Sequence, residues 1–290
     1  MTENYFLFGA GYSARAFARR IAGKAKIAGT TRSNENFDLL REAGIRPFLF
    51  DGTHVGDDLA APLAETTHLV LSAAPGDEGD PVLSAARPLL MKAMPALQWV
   101  GYLSTVGVYG FHDGAWVDEE SACRPTSKRS RQRVEAEKAW LDFGKERDVP
   151  VAILRLAGIY GPGRNGFINL ERGTARRIVK PGQYFNRIHV EDIAGSLEFL
   201  ADRRMGGIFN IGDDEPAPAP DVVAFAARLM GVAPPPEIPF EETEMTPMAR
   251  SFYGDNKKVS NRKIKASGYR FAYPDYRTAF TRMWNEGNWR

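Results

Sequence analysis

Apolar positions along this chain follow two alternating patterns. Short, nearly continuous apolar runs recur at residues 5–8, 26–30, 47–50, 68–72, 98–104 and 151–156, which predicts buried strands. Between and beyond them the spacing turns helical. Ala14, Phe17, Ala18, Ile21 and Ala22 form an i, i+3, i+4, i+7, i+8 stripe, and Ala136, Ala139, Trp140 and Phe143 form a second. A third covers 191–201 through Ile193, Leu197, Leu200 and Ala201. In a fourth, Val222, Phe225, Ala226, Leu229 and Met230 run from Asp221, read as an N-cap, to Gly231, read as the stop. Strands that alternate with helices argue a parallel sheet with right-handed crossovers, hence a doubly wound α/β fold. Residues 207–211 read as a strand returning to that sheet. Further on the pattern is less regular. Arg172, Arg176, Arg177 and Lys180 suggest a basic helix-like piece before the Pro181-Gly182 turn. Pro234-Pro235-Pro236 and the acidic stretch 241–244 read as a loop, a possible lid.

The first strand stops at Gly9-Ala10-Gly11-Tyr12-Ser13-Ala14, a G-x-G-x-x-A turn that opens the first helix. In a Rossmann dinucleotide-binding unit the first glycine makes the bend, the second lets backbone approach a pyrophosphate, and the small third residue allows close helix–strand packing. The N–H groups of Tyr12 and Ser13 then point at the anion. A glycine turn alone is common punctuation; between a strand and a helix it has the context that the fingerprint requires. The second strand ends Thr30-Thr31-Arg32-Ser33, where an NAD site wants an acid for the ribose 2′-hydroxyl. Thr31, Arg32 and Ser33 suit a 2′-phosphate instead, so NADP(H) is expected ahead of NAD(H), against a plain reading of Arg32 as a solvated loop arginine. Asp51-Gly52 closes the third strand as an adenine contact or as an ordinary turn. Ala73, Ala74 and Pro75, after the fourth strand, are small enough for a cofactor to cross.

Composition narrows the setting. The 290 residues are 43% hydrophobic and 26% charged with a net charge of +2, as in a globular protein of one large domain or two, with no sign of a nucleic-acid partner. Residues 1–160, with returning segments near 187–212, are expected to form the dinucleotide-binding domain, and 161–290 mainly a smaller α/β substrate domain. No apolar run approaches the ~18 residues of a membrane span. Met1-Thr2-Glu3-Asn4 leads straight into the first strand, leaving no room for a signal peptide, and Cys123 is the single cysteine. A cytoplasmic protein is expected. His54, His68, His112 and His189 are scattered without metal-ligand spacing, so no metal site is expected. Neither a G-x-S-x-G elbow nor a P-loop occurs.

The fifth strand ends Thr105-Val106-Gly107-Val108-Tyr109-Gly110. Further on stand Arg155-Leu156-Ala157-Gly158-Ile159-Tyr160-Gly161-Pro162-Gly163, Arg187-Ile188-His189-Val190-Glu191-Asp192-Ile193-Ala194 and Phe209-Asn210-Ile211-Gly212-Asp213-Asp214-Glu215-Pro216. In this order they resemble the extended short-chain dehydrogenase/reductase family of nucleotide-sugar epimerases and dehydratases. That resemblance implies the Rossmann fold, a nicotinamide cofactor, and Thr105 hydrogen-bonded to a substrate carbonyl or hydroxyl. It also implies a Tyr-x-x-x-Lys pair on the helix after Thr105, and here the chain departs from the family. Counted back from Glu135, the matching positions are Ser127 and Arg131, on one helical face. Arg131 can still offer charge to a ribose. Serine cannot stand in for a phenol of pKa ~10, because an alkoxide is far harder to form. No tyrosine lies between Tyr109 and Tyr160, so a shifted register does not restore the motif.

The remaining proton donors are Tyr109, Tyr160, Tyr184 and His189, the last also readable as a packed residue behind the site. The basic run 124–133 reads as a solvated face, or as a receptor for a phosphate-bearing substrate or acidic partner. Two functions follow. One is an NADP(H)-dependent oxidoreductase or epimerase/dehydratase-like enzyme acting on a small carbonyl or sugar-type molecule. The other is a non-catalytic NADP(H)-binding sensor that answers to a protein partner.

Overall fold

A computed structural model describes residues 3–290 and divides into two compact units. The first comprises the chain up to Thr105, Lys128–Arg155 and Ile193–Phe209; the second comprises Val106–Ser127, Leu156–Asp192 and Asn210–Arg290. Among the described residues no helix is long and apolar enough to cross a membrane.

Seven strands form the central sheet: β1 (Asn4–Phe8), β2 (Lys26–Thr31), β3 (Arg46–Leu49), β4 (His68–Leu71), β5 (Trp99–Thr105), β6 (Val151–Leu156) and β7 (Gly207–Ile211). Their order is β7-β6-β5-β4-β1-β2-β3, with β1 parallel to both β2 and β4. The order reverses between β1 and β4, where doubly wound sheets bind ligands beyond the carboxyl ends of their strands. All six predicted strands are present, with ends shifted by at most one residue, and residues 207–211 do return as an edge strand.

Helices α1 (Tyr12–Ile21), α2 (Phe37–Glu42), α3 (Ala60–Glu65), α4 (Pro81–Lys92), α5 (Lys128–Arg147), α6 (Gly166–Glu171), α7 (Val190–Asp202) and α8 (Ala219–Met230) connect or follow the strands. Side chains alternate across β1. Tyr5 packs edge-on against Phe17 of α1, whereas Phe6 and Phe8 join Leu63 of α3, Leu90 of α4 and Trp140 and Phe143 of α5 in one core. Ala14, Phe17, Ala18 and Ile21 are buried as their spacing predicts; Ala22 lies past the helix end and is exposed.

One polar cluster crosses this core. The Glu137 carboxylate of α5, 3% exposed, accepts from Arg155 Nη2 of β6 at 2.8 Å and from Arg155 Nε at 3.2 Å, and takes the Ser104 hydroxyl of β5 as a further donor. A buried carboxylate is tolerable only when paired and hydrogen-bonded, and this one is both.

The second unit is built from short parallel pairs. Gly158–Tyr160 pairs with Arg187–His189, Arg177–Val179 with Glu237–Pro239, and Trp116–Val117 with Lys258–Val259. Its core gathers Phe167, Val222, Ala226, Phe280 and Met283, the last two from the C-terminal helix Tyr276–Glu286. Three expectations need correction here. The basic helix-like piece is a short helix, α6, followed by a strand, because buried Ile178 anchors Arg177–Val179 as an edge pair. Part of the expected loop before residue 244 is therefore that strand's partner, Glu237–Pro239, and a helical turn, Phe240–Glu242. Asp221 lies in the first turn of α8 and does not cap it; the cap position falls on Pro218, while Gly231 ends the helix in the left-handed conformation as expected.

Removing one partner of a buried pair leaves the other charge stranded. Glu137→Ala is expected to cost about 3–5 kcal/mol in urea unfolding, against less than about 0.5 kcal/mol for exposed Glu135→Ala.

Candidate functional site: a dinucleotide cradle at the sheet edge

Three strand ends meet at the glycine turn. Gly9 takes φ +83°, and a Cβ there would sit 2.8 Å from the Ala73 backbone nitrogen. Ser72 and Ala73 in turn donate their N–H groups to the Phe8 carbonyl at 2.9 and 3.1 Å. On the other side the Gly9 N–H donates to the Thr30 hydroxyl (3.0 Å), and the Ala10 N–H to the Thr30 carbonyl (2.8 Å). Gly9 is thus required by close packing and by backbone conformation together.

Gly11 is different. Its φ of −79° suits any residue, and the nearest atom to a Cβ built there is the Gly9 carbonyl oxygen of its own turn, 3.9 Å away. The fold itself does not demand a glycine at 11, and the missing side chain leaves the backbone there open to close approach. No side chain caps α1 and no acid lies in its first turn, so the positive end of the helix is uncompensated. Tyr12 is half-buried, and Ser13 and Ala14 are buried. This arrangement fits a dinucleotide pyrophosphate.

At the end of β2, Thr31 Oγ1 accepts from Asn36 Nδ2 (3.3 Å) and Ser33 Oγ accepts from the Glu35 N–H (3.3 Å). Each hydroxyl therefore retains its own proton to donate. Arg32 between them is exposed and in no ion pair among the described residues. Asp51 is committed to its own loop. Its Oδ1 accepts from the Thr53 N–H, the Thr53 hydroxyl and the His54 N–H, and the Thr53 bonds foremost draw the carboxyl down to about 2. That geometry is the turn reading of Asp51-Gly52, with Gly52 at φ +99° beside Pro81. Ala73 and Pro75 are half-buried and Ala74 is exposed, in the loop after β4.

Thr105 ends β5 and is half-buried. Ser127 precedes α5, so it does not share a helical face with Arg131, which is exposed in the first turn. The burial pattern of α5 also moves the register. Its buried acid is Glu137, whereas Glu135 is exposed. Counted back from Glu137 with the same spacing, the positions of the missing pair are Arg129 and Arg133. Arg133 is half-buried, and its Nη1 donates to the Leu103 carbonyl (2.7 Å) and the Tyr102 hydroxyl (3.0 Å) on β5. Sequence reasoning missed Thr30, Arg133 and Glu137. The available signal was Arg155, a charge inside an apolar strand, which required an acid on the facing helix.

The remaining candidate donors lie in the second unit. Tyr109 is fully buried and donates its hydroxyl to Asn210 Oδ1 at 2.7 Å. Tyr160 is 7% exposed; its hydroxyl has no hydrogen-bond partner among the described residues, and burial pushes its pKa far up. His189, 1% exposed, stacks on Tyr273 with ring centroids 3.8 Å apart and accepts the Glu191 N–H at Nδ1. Burial lowers its pKa to about 4, so the ring is neutral near pH 7. Tyr184 alone among the four is half-exposed, with the Lys258 ammonium 4.9 Å from its ring centre.

The sequence model of the NAD dependent epimerase/dehydratase family matches residues 81–212. Protein YeeZ of Escherichia coli (strain K12) is 30% identical over 247 residues, covering 79% of this chain and 84% of that protein. The chain belongs to the NAD-dependent epimerase/dehydratase family. A solved structure of a functionally unknown conserved protein from Silicibacter pomeroyi is 44% identical, with 99% of each chain covered and a TM-score of 0.89. The human epimerase family protein SDR39U1, solved with NADPH, shares the fold at 18% identity and a TM-score of 0.73, covering 97% of this chain and 99% of that one. Family membership makes this chain an NAD(P)-binding protein with a Rossmann-type fold, and the turn at Gly9 and Gly11 has the shape that such a dinucleotide needs. Ser127, Arg129, Arg131 and Arg133 show that this member lacks the family's tyrosine in either register.

Burial of neutral His189 has a pH signature. Its folded pKa lies below the ordinary 6.5, so between pH 6.5 and about 4 the unfolded chain takes up a proton that the folded chain does not. Stability therefore falls as pH drops through that window. His189→Phe is expected to remove about 3 kcal/mol of the loss, read as the wild-type-minus-variant difference in urea unfolding between pH 7 and pH 4.

Proposed function

We propose that this family member binds NADP(H) in preference to NAD(H), and that binding, more than proton transfer, is the function its geometry supports. The carrying observation is the end of β2. The exposed guanidinium of Arg32 stands between two hydroxyls, on Thr31 and Ser33, that accept from their own loop and keep a proton to donate. A 2′-phosphate needs donors and positive charge; a bare 2′-hydroxyl wants a carboxylate, and none stands among Thr30, Thr31, Arg32 and Ser33. Gly9, Gly11, Tyr12 and Ser13 would receive the pyrophosphate, and Ala73, Ala74 and Pro75 would floor the path toward β5. The bound nicotinamide would supply hydride chemistry.

For turnover, an oxidoreductase or epimerase/dehydratase-like step on a small carbonyl or sugar-type molecule would use Thr105 as a hydrogen-bonding group. Tyr184 is the candidate donor that retains exposure. The burial of Tyr109, Tyr160 and His189 favours the second reading, a cofactor-responsive regulatory protein with a protein partner. A cytoplasmic setting is part of this proposal.

Thermal shift with NADPH, NADP⁺, NADH and NAD⁺ tests the proposal. A phosphorylated dinucleotide at ~100 times its Kd should stabilise the protein by ~2.7 kcal/mol. Loss of charge-assisted bonds worth about 1.5–3 kcal/mol predicts that Arg32→Ala weakens NADPH about 10- to 100-fold and leaves NADH within about twofold. A wild-type preference for NADH would refute the assignment. To separate the two readings, NADPH oxidation is followed with carbonyl and sugar-nucleotide substrates in wild type and Thr105→Ala. Turnover that falls in the variant supports an enzyme, and its complete absence in wild type supports the regulatory reading.

A further inference from the structure

The N-terminal end of α5 carries an unusual charge distribution. Lys128, Arg129, Arg131 and Arg133 crowd its opening, and no acid lies in the first turn. Cations are unfavourable at the positive end of a helix, and like charges four apart on one face repel. Arg129 and Arg133 are such a pair. The nearby acids relieve them only in part. Asp77 is held by Lys128 at 2.5 Å and by Gln132 at 2.8 Å, and Glu137 is committed to Arg155. Asp80, buried at the start of α4, binds the Val82 and Leu83 N–H groups of its own helix through Oδ1, and the Arg133 charge favours its carboxylate without a direct ion pair. Neither Arg129 nor Arg133 forms an ion pair among the described residues. Arg133 is nevertheless held in place, since its Nη1 is fixed by the Leu103 carbonyl and the Tyr102 hydroxyl. An unfavourable cluster of this kind, partly immobilised at the ligand-binding edge of a parallel sheet, is arranged to receive negative charge.

We propose that Arg129 and Arg133 form a second anion receptor, which takes a phosphate or carboxylate group of a small molecule bound beside the cofactor. The cofactor's own phosphates have other places in the fold: the pyrophosphate at the start of α1, after β1, and the 2′-phosphate at the end of β2. β5 lies two strands from β1 on the side away from β2, roughly 10 Å across the sheet. The nicotinamide half, which has no phosphate of its own beyond the pyrophosphate, extends toward β4 and β5 by exclusion. The anion therefore belongs to a second molecule. A guanidinium keeps its charge throughout the accessible pH range, so these positions bind where a tyrosine–lysine pair would exchange protons. The inference rests on the NADP(H) reading only for what lies next to the anion.

Inorganic phosphate is the probe. Protein saturated with NADPH is titrated calorimetrically with phosphate at constant ionic strength. One saturable site is expected, weakened at least tenfold in Arg129→Gln and in Arg133→Gln. Exposed Arg172→Gln should leave it unchanged. Because Arg133 is half-buried and its variant can fail to fold, exposed Arg129 carries the decision. Phosphate affinity within twofold of wild type in Arg129→Gln overturns the proposal. So does phosphate that displaces NADPH, with Arg129→Gln losing NADPH affinity, since the arginines would then hold a cofactor phosphate. Arg129-dependent phosphate binding in a protein that responds to no dinucleotide would sustain the receptor and refute the cofactor reading.

Discussion

Between the ends of β1 and β4 the chain leaves room for a hydrogen atom and little else, and much of the first unit's chemistry depends on that contact. The Phe8 carbonyl takes two N–H groups from the loop after β4, and Gly9 turns against the Ala73 backbone in a conformation that other residues resist. The same turn is tied by its N–H groups to Thr30 on β2. Three strand ends are thereby fixed around the entrance of α1, whose N-terminal end carries no side-chain cap and no acid in its first turn. Gly11 is not needed by the backbone itself, and its missing side chain leaves the entrance of α1 open.

A second constraint sets the other end of the edge. Glu137, held between Arg155 and Ser104, fixes the rotation of α5 about its own axis and so decides which of its many cations meet β5. A buried ion pair is a poor source of net stability compared with well-packed apolar residues. Here it supplies orientation: with Glu137 inward, Arg133 reaches the Leu103 carbonyl and Arg129 lies one turn before it. A helix rotated to bury Glu135 would present a different pair.

Taken together, these features separate two properties that the family ordinarily combines. The cradle retains the glycines, the uncapped helix and a phosphate-suited end of β2. Counted back from Glu137, the positions of the acid–base pair hold two arginines, Arg129 and Arg133, in place of a tyrosine and a lysine. Of the candidate donors elsewhere, Tyr160 and His189 are buried in the second unit, where burial opposes the charged form of each, and Tyr109 is buried against Asn210; Tyr184 alone keeps exposure.

Periodicity alone was enough for the sheet, the helices α1, α5 and α7, and the glycine cradle, because each is a local pattern whose burial follows directly from spacing. It was also enough to show that the tyrosine is missing, which is a matter of composition between residues 109 and 160. Only tertiary structure decided the register on α5. Glu135 and Glu137 are equivalent in sequence and differ in whether Arg155, eighteen residues beyond Glu137, lies within reach. It likewise decided that Asp51 serves its own turn, that residues 177–179 form a strand, and that three of the four candidate donors are buried. Each of these depends on partners distant in the chain, and the desolvation that sets the state of a carboxyl, phenol or imidazole exists only once those partners have closed around it.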